Sequence, residues 1–338
     1  MNPIVKINCM ELTWMESKKK VPEWDDLLIE SDFPHPFSSF TFYNAWVETF
    51  VDDLTQIKML FFYNNHKLVG LVPIFVDHDN KNVSILGDKD LFDYRDLIYI
   101  SGFYEEIYLE FLSYLKSQKW FQGYTVIMQS IPESSELFNL LNAGKLIEFT
   151  DVKILEEDVT PIFDINNGWD DYLITLSKKQ RHEVRRKLRK FESQDFHFKL
   201  INCNEDLSEF LLDFYQLFIN SRKDKKQFLT DQRKIFFNKM LSDFADKNEL
   251  KILSYYDGNI LISACIVIEY ANIYFLYNSA YSLDYNSFSV GLVSKIVALK
   301  QSIENNKQVF NFLRGNERYK YDLGAKDIKL FEIKLFVD

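Results

Sequence analysis

The chain has 338 residues, of which 47% are hydrophobic and 27% charged, so we expect about two domains that fold throughout. Its net charge of −10 argues against indiscriminate binding to nucleic acid, DNA included. No stretch approaches about 18 consecutive apolar residues, which predicts no membrane span, and the first residues lack the pattern of a secretory signal.

The cysteine and histidine side chains show no spacing typical of a metal site or of a disulfide framework. The cysteines are odd in number and far apart, and the histidines form none of the short motifs that bind zinc. These features predict a protein of a reducing compartment, the cytoplasm, without a bound metal. The residues concerned are Cys9, Cys203, Cys265, His35, His66, His78, His182 and His197.

In chain order, the first half of the sequence predicts a helix, a β-hairpin and then alternating strands and helices. The hairpin, Lys58–Val76, turns at Asn64–Lys67, where adjacent asparagines tolerate the positive φ angles of tight turns. Around it we predict a helix at Phe40–Phe50, strands at Leu97–Ile100 and Tyr124–Ser130, helices at Tyr104–Gln118 and Ser134–Ala143, and an extended segment at Val152–Phe163.

The second half repeats this order of elements. Its hairpin, Lys251–Tyr270, turns at Asp257–Asn259. The repetition predicts an α/β (α+β) fold of two tandem mixed-sheet domains flanked by helices, residues 1–160 and 161–338, which meet near Thr150–Gly168. The other predicted elements are helices at Leu207–Ser221, Asp231–Phe244 and Val290–Glu304, and strands at Ile273–Ala280, Val309–Leu313 and Ile328–Val337.

The start of the helix Val290–Glu304 has the residues of an anion site. Ser289 is suited to the N-cap position, and Gly291 in the first turn allows a ligand to approach the backbone N–H groups closely. A helix N-terminus of this kind accommodates a phosphate or pyrophosphate, although an ordinary capped helix has the same residues.

Several motifs together resemble one known family. From Tyr277 to Ala325 the chain resembles the CelD/BcsL-type acetyltransferase domain of the GNAT superfamily, which typically shows a Tyr-rich strand, S-P-G at a helix start and a strand ending in G-x-x-x-Y-K. Other motifs extend the resemblance, in the family's order, over nearly the whole chain. They are Pro36–Trp46, Leu71–Pro73, Leu86-Gly87 with Asp93–Asp96, and the basic segment Ser177–Arg189.

This resemblance implies an acyl-CoA-dependent N- or O-acyltransferase built of tandem GNAT halves, with acetyl-CoA or another acyl-CoA as co-substrate and no metal. The implied acceptor is a small molecule, namely an amino sugar or a polysaccharide or cell-envelope precursor. In GNAT-like enzymes the pantetheine arm inserts between two splayed strands, here Ile273–Ala280 and Val309–Leu313. The pyrophosphate of coenzyme A is then expected at Ser289–Gly291.

The resemblance also implies roles for individual side chains. Lys320 would act electrostatically on a phosphate or on the developing oxyanion, and Tyr319 would be an acid or a packing residue. Either Glu317 or Asp284 would be the base. The expected cofactor contacts are Tyr277, Asn278, Ser289, Gly291, Asn311 and Arg314, and the expected acceptor contacts are Asp93, Tyr94 and Asp96 at the interface of the halves, with Arg181 and Arg185.

Two residues depart from the family's pattern. Val290 stands where the family usually has proline, which changes the rigidity of the helix start. Asn311 stands where it usually has aspartate, so this chain lacks a carboxylate that could serve as the base.

The segment Lys178–Lys190 is strongly basic in an otherwise acidic protein. Val184, Leu188 and Phe191 form its apolar stripe, and an adjacent stripe of Arg181, Arg185 and Arg189 repeats every four residues. The arginines either form a solvated face neutralised by the acidic surface, or bind the phosphates of coenzyme A, a nucleotide-linked sugar or tRNA.

Two other functions remain open from the sequence. A Fem-type aminoacyl transferase shares the tandem GNAT plan and takes its acyl group from aminoacyl-tRNA. Such chains usually carry a long helical hairpin in the second half, for which Phe191–Asp231 leaves no room, and this favours coenzyme A. The departure at Asn311 leaves open a degenerate GNAT fold that binds ligands without catalysis.

Overall fold

The computed structural model describes residues 7–145, 151–221 and 223–336. Thr150, at the predicted junction, and Val337, at the end of the predicted last strand, lie outside these ranges. The strands are β1 (Ile7–Leu12), β2 (Ile57–Asn64), β3 (Lys67–Asp77), β4 (Asn82–Ile85), β5 (Ile98–Tyr99), β6 (Thr125–Pro132), β7 (Asp151–Asp164), β8 (His197–Ile201), β9 (Leu250–Asp257), β10 (Ile260–Tyr270), β11 (Ile273–Tyr281), β12 (Val309–Asn311) and β13 (Lys326–Phe336). The helices are α1 (Trp14–Ser17), α2 (Val21–Glu30), α3 (Phe40–Phe50), α4 (Tyr104–Ser117), α5 (Leu137–Asn142), α6 (Trp169–Thr175), α7 (Lys178–Glu192), α8 (Leu207–Ser221), α9 (Lys223–Phe228), α10 (Asp231–Asp246), α11 (Val290–Glu304) and α12 (Arg318–Asp322).

The chain divides into two compact units. Unit 1 comprises residues 1–159 and 328–338, and unit 2 comprises residues 160–327. The chain enters unit 2 within β7 and returns to unit 1 within β13. The sequence-based division placed 328–338 in the second half, but β13 pairs antiparallel with β6, which puts this segment in unit 1. No local pattern indicated that return, because strand pairing is a long-range property.

The sheet of unit 1 contains the first predicted hairpin. Strands β1 to β4 pair antiparallel in succession, β4 and β6 are parallel, and β5 pairs with β3. The turn between β2 and β3 places Asn65 at φ 55°, which confirms the predicted hairpin. Helix α4 presents Ile107, Phe111 and Leu115 at helical spacing to the apolar face of this sheet.

A close approach between β3 and α4 explains one glycine of the first half. A Cβ atom added at Gly70 would lie 2.5 Å from Cδ1 of Ile107, whose side chain is fully buried. Gly70 therefore allows the helix to pack directly on the strand. The residue precedes the Leu71–Pro73 motif of the sequence, so that motif reflects packing in unit 1.

Unit 2 repeats the mixed arrangement with the order β7-β12-β11-β10-β9-β8. Strands β8 to β11 pair antiparallel in succession, whereas β11 and β12 are parallel and are joined by α11. The turn between β9 and β10 has Gly258 at φ 55°, which confirms the second predicted hairpin. Ile296 and Leu299 of α11 pack in a core with Tyr274 and Phe310. Both units thus combine mixed strands with flanking helices, which confirms the predicted α/β (α+β) class.

The pairing between β11 and β12 is much shorter than β11 itself. Strand β12 pairs only with Ile273–Phe275 and ends at Asn311, whereas the sequence predicted a strand as far as Leu313. Leu313 has φ 58°, a left-handed conformation that ends the strand. Beyond Phe275, no strand within the described residues pairs with β11 on the side of β12. The pairing thus stops at the residue where β12 itself ends.

Within the described ranges, none of the helices has the length and apolar character needed to cross a bilayer.

We predict that Gly70→Ala destabilises the protein by about 1–3 kcal/mol, because the new methyl group overlaps the Ile107 side chain and forces the helix away from the strand. Urea denaturation gives the free energy of unfolding. The double variant with Ile107→Val removes the methyl group nearest to the clash and should recover part of the loss. A double variant less stable than Gly70→Ala would contradict this explanation.

Candidate functional site

The loop that follows β12 is held by one buried lysine. Lys320 in α12 is 2% exposed, and its Nζ donates hydrogen bonds to the carbonyl oxygens of Leu313 (2.8 Å), Arg314 (2.8 Å) and Gly315 (2.9 Å). The same ammonium group lies 3.0 Å from a carboxylate oxygen of Glu317. Three successive carbonyls therefore take up the three donors of the ammonium.

Other residues fix the same loop. The side-chain oxygen of Asn311, which is 2% exposed, accepts a hydrogen bond of 2.9 Å from the N–H of Leu313. Gly315 has φ 109°, and a Cβ atom there would lie 2.7 Å from Oε2 of Glu317. Only glycine suits that conformation and that contact.

These contacts correct two roles predicted from the sequence. Lys320 was expected to face a phosphate or an oxyanion, but its ammonium group is directed into the loop, so Lys320 is a positioning residue. Asn311 was expected to contact the cofactor, and its lack of a charge was taken as a possible loss of the base. Its amide oxygen supports Leu313, a task that needs an acceptor and no charge. Arg314 contributes a backbone carbonyl to the same loop.

The start of α11 differs in detail from the expected anion site. Ser289 is the N-cap residue, but its φ of 57° directs its hydroxyl away from the first turn, and the side chain forms no cap. The hydroxyl instead accepts a hydrogen bond of 2.8 Å from Nζ of Lys187, and Lys190 donates to the carbonyl of Ser287 at 2.7 Å. Two lysines of α7 thus place positive charge beside this helix start. Val290, the residue that replaces proline, is fully buried.

Gly291 has a packing role. A Cβ atom there would lie 2.5 Å from Cγ of Tyr281, the last residue of β11. The close approach that the sequence assigned to a ligand is therefore made by the tyrosine ring.

Lys295 is a buried cation that sequence reasoning did not single out. It lies in α11 with 6% exposure, and its Nζ donates to the carbonyl of Gly291 at 2.7 Å. The same Nζ lies 5.6 Å from the ring centre of Tyr281 and 5.2 Å from that of Tyr319. Burial lowers the pKa of Lys295, and the negative charge of Glu317 opposes that shift. In the sequence, Lys295 falls on the apolar face of the predicted helix Val290–Glu304, and that position could have indicated its burial.

Lys295 therefore lies close to the end of β11 and to the helix that follows β12 and its loop. Tyr281 ends β11, and Tyr319 belongs to α12, which follows β12 and its loop. The ammonium group and the two rings bring together residues that are distant in sequence.

Two predicted cofactor residues lie farther along β11. The pairing register with β10 slips here, so that Leu276 faces Val267 and Asn278 faces Ile266, which makes Tyr277 the extra residue of a β-bulge. The ring of Tyr277 contacts Phe237 edge-on at 6.1 Å. The side-chain oxygen of Asn278 accepts a hydrogen bond of 3.0 Å from the N–H of Ser279, its neighbour in the strand.

The two candidate bases occupy different places in unit 2. Asp284 is exposed on the 3₁₀ turn Leu283–Phe288, and no hydrogen bond or ion pair joins it to Tyr319 or Lys320 within the described residues. Glu317 precedes α12, and its carboxylate forms the ion pair with Lys320. The structure thus brings Glu317, and not Asp284, next to Tyr319 and Lys295.

The arginine stripe of α7 lines a separate groove of about 660 Å³. Arg181, Arg185 and Arg189 form one side, and Trp169 and Lys300 contribute to the other. Lys300 lies eleven residues after Ser289, which corresponds to about 16 Å along the helix. Helix α7 therefore presents one basic face to the start of α11 and another to this groove.

The acceptor residues predicted in unit 1 have different surroundings. Tyr94 is 1% exposed and packs edge-on against Phe33 at 5.0 Å, so it belongs to the core. Asp93 is half-buried, and Asp96 lines a pocket of the unit. Oδ1 of Asp96 accepts hydrogen bonds from the N–H of Leu97 (2.7 Å) and the hydroxyl of Tyr108 (2.6 Å). Burial raises the pKa of Asp96, although these donors and Ser135 oppose the shift.

His35 lines the same pocket and was not predicted as a site residue. It is 5% exposed, its ring packs against Phe33, Phe37 and Tyr94, and its Nδ1 has no hydrogen-bond partner among the residues that the structure describes. Burial lowers the pKa of His35 to about 3, so the imidazole is neutral at physiological pH.

In the described part of the chain, no group of three or more His, Cys, Asp or Glu side chains is arranged to hold a metal ion.

Comparisons with known proteins agree with this fold. Residues 178–321 match the family model of an acetyltransferase (GNAT) domain. No curated protein sequence matches the chain. The fold is similar to that of FemX, with a TM-score of 0.64 and 12% identity over 96% of each chain.

Two further solved structures share the fold. One is the C-terminal domain of a putative lysylphosphatidylglycerol synthetase from Agrobacterium fabrum, with a TM-score of 0.59 and 8% identity over 94% of this chain and 92% of that one. The other is a tandem GNAT protein from the clavulanic acid biosynthesis pathway, solved without acetyl-CoA, with a TM-score of 0.51 and 9% identity over 98% of each chain. The chain thus has the fold of GNAT-type acyltransferases, and identities this low say nothing about its substrate.

We predict that Lys320→Met loosens the loop after β12, because three carbonyls and one carboxylate lose their partner. The expected loss is at least about 3 kcal/mol in the free energy of unfolding. Amide hydrogen exchange should rise in residues 313–316 and in α12. Lys326→Met, an exposed lysine nearby, serves as the control and should change neither measurement. Unchanged exchange in Lys320→Met would show that the loop does not depend on the ammonium group.

We predict that His35 makes the protein sensitive to acid. Its folded-state pKa of about 3 lies below the value of about 6.5 in an unfolded chain, so stability is lost as the pH falls from 6.5 towards 3. Urea denaturation gives the free energy of unfolding at pH 7 and at pH 4.5. The decrease in this free energy between the two pH values should be smaller in His35→Gln than in the wild type, by roughly 2 kcal/mol. His66→Gln, at an exposed hairpin turn, should behave like the wild type. Equal losses in wild type and His35→Gln would contradict the prediction.

Proposed function

We propose that the protein is an acyl-CoA-dependent N- or O-acyltransferase, with acetyl-CoA as the favoured donor and an amino sugar or a polysaccharide or cell-envelope precursor as the acceptor. The observation that carries the proposal is the early end of β12, which leaves the edge of β11 beyond Phe275 without a paired strand among the described residues. An extended ligand with amide groups can add to such a strand edge through main-chain hydrogen bonds. The pantetheine arm of coenzyme A is a ligand of that kind, and it carries the thioester.

The start of α11 supports the same assignment. A pyrophosphate placed there would lie beside Lys187 and Lys190, whose Nζ atoms contact Ser289 and Ser287. The partial positive charge of the helix N-terminus adds to their attraction. Because Tyr281 covers Gly291, we assign the phosphate contacts to these lysines and to Ser289, and not to a close approach at the glycine.

Acyl transfer needs a polarised thioester carbonyl and a proton acceptor. The acceptor amine or hydroxyl attacks the carbonyl carbon, the carbon–sulfur bond breaks, and the thiolate of coenzyme A leaves. We assign oxyanion stabilisation to the ammonium group of Lys295, which lies between Tyr281 and Tyr319 at the strand ends. We assign removal of the acceptor proton to Glu317, with Lys320 fixing its position.

A second candidate function has one observation in its favour. The groove lined by Arg181, Arg185 and Arg189 is suited to several phosphates in a row, as in an RNA strand, and Trp169 offers a ring for stacking. A Fem-type transferase, which takes its acyl group from aminoacyl-tRNA, would use such a surface, and the fold is similar to that of FemX. A degenerate GNAT-like binding protein without catalysis is the third alternative, and Asn311, whose amide oxygen holds the loop, brings no carboxylate to this place.

We predict that acetyl-CoA binds the wild-type protein in calorimetry and that Lys187→Ala weakens binding about tenfold, since one charge-assisted phosphate contact is lost. Arg185→Ala is the matched control. It removes one positive charge from the same helix but from the other face, and it should leave the affinity for acetyl-CoA unchanged.

Results that differ from these two predictions would lead to a different function. The aminoacyl-tRNA alternative would replace the proposal if two results were found together. The wild-type protein would not bind acetyl-CoA, and it would transfer the acyl group from charged tRNA in a reaction that Arg185→Ala abolishes. Equal effects of Lys187→Ala and Arg185→Ala would contradict the assignment of the pyrophosphate to the start of α11.

A further inference from the structure

Unit 1 contains a pocket of about 300 Å³, which is the size of a small-molecule site. Three segments of the unit form it: the chain around His35, the segment that runs from Asp96 into β5, and the chain from Pro132 to Glu136. All of these residues lie in unit 1, so the pocket is complete within that unit.

The charged side chains that line this pocket are all acidic. Asp32, Asp96 and Glu136 line it, and no lysine or arginine is found among the described residues that form its wall. Asp96 is held in one orientation by Tyr108 and by the N–H of Leu97, both of which donate to the same carboxylate oxygen. A carboxylate fixed in this way inside a concave acidic wall favours a cationic ligand.

A second, independent feature also points to a ligand. His35 is 95% buried, and its Nδ1 has no hydrogen-bond partner within the described chain. Buried polar atoms are almost always paired in native proteins, and an unpaired one costs about 1–3 kcal/mol. The aromatic contacts with Phe33 and Tyr94 fix the imidazole ring in place. The ring is therefore a preformed hydrogen-bonding group for which the described residues supply no partner at Nδ1.

The remaining wall of the pocket suits a ring that carries hydroxyl groups. Phe33 and Tyr99 supply aromatic surface, and Ser134 and Ser135 supply hydroxyls. Aromatic side chains pack against the apolar face of a sugar, while serine, histidine and carboxylate groups bond its hydroxyls.

We propose that this pocket binds a protonated amine carried on a polyhydroxylated ring, namely a hexosamine. Asp96, with Asp32 and Glu136 at the rim, receives the ammonium group, and His35 bonds a ring hydroxyl. That the bound amine is also the acyl acceptor rests on the proposed function, whereas its binding does not require an acyl donor.

Calorimetry with glucosamine, galactosamine and mannosamine tests the proposal, with glucose, galactose and mannose as uncharged counterparts. At least one hexosamine should bind at least ten times more tightly than its parent hexose. Asp96→Asn keeps the shape of the side chain and its acceptor oxygen, and it should weaken that binding at least tenfold. The double variant Asp32→Asn/Glu136→Gln changes the rim only, so it should fold and should also weaken binding. Asp79→Asn, an exposed aspartate of the same unit, should leave binding unchanged.

The proposal is overturned if no hexosamine binds, if hexoses bind as tightly, or if binding is the same in Asp96→Asn. Titration of the same variants with acetyl-CoA separates this result from the proposed function. Acetyl-CoA binding without hexosamine binding refutes only the pocket, and hexosamine binding without acetyl-CoA binding refutes only the acyl donor.

Discussion

The contacts of Lys320 with three successive carbonyls are the constraint on which the candidate site depends. A buried ammonium group is costly unless its donors are satisfied, and here the carbonyls of residues 313–315 satisfy them. The chain must then turn immediately after β12, with Leu313 in a left-handed conformation. That turn ends the strand at Asn311 and leaves most of β11 without β12 beside it. The ammonium group of Lys295 lies near the rings of both Tyr319 and Tyr281.

The two units have opposite chemistry in spite of their similar mixed sheets. Unit 2 places lysines of α7 beside the start of α11 and arginines of the same helix along a separate groove. Unit 1 offers a small acidic pocket with a buried imidazole nitrogen that no described residue pairs. Surfaces of these two kinds suit an anionic and a cationic ligand respectively, which are the charges of the acyl donor and the acceptor that we propose. The repetition of the fold therefore does not extend to the sites.

Much of the fold could be predicted from local patterns. Both hairpins, and the helices α3, α8 and α11, follow from apolar periodicity and from turn residues that tolerate positive φ. The pattern did not reveal β8, because four of its five side chains are exposed. It overestimated β12, because nothing in the sequence marks Leu313 for a left-handed conformation. The return of residues 328–338 to unit 1 depends on pairing with a strand about 200 residues earlier.

The sequence predicted where the candidate site lies, but not what each of its side chains does. The sequence located the start of α11, the Tyr319-Lys320 pair and the basic helix, since each has unusual residue types at helix or strand ends. The direction of the Lys320 side chain, the contact of Tyr281 with Gly291 and the burial of Lys295 arise from packing between distant elements. For the same reason His35 was not recognised, because its aromatic surroundings form only in the folded unit.

A crystal structure of the protein with coenzyme A tests the central claim most directly. We predict that the pantetheine amides pair with the backbone of β11 beyond Phe275, on the edge where β12 has ended. We also predict that the pyrophosphate contacts Lys187 or Lys190 at the start of α11. Coenzyme A bound only in the groove of Arg181, Arg185 and Arg189, or a strand of the protein itself occupying that edge of β11, would contradict it.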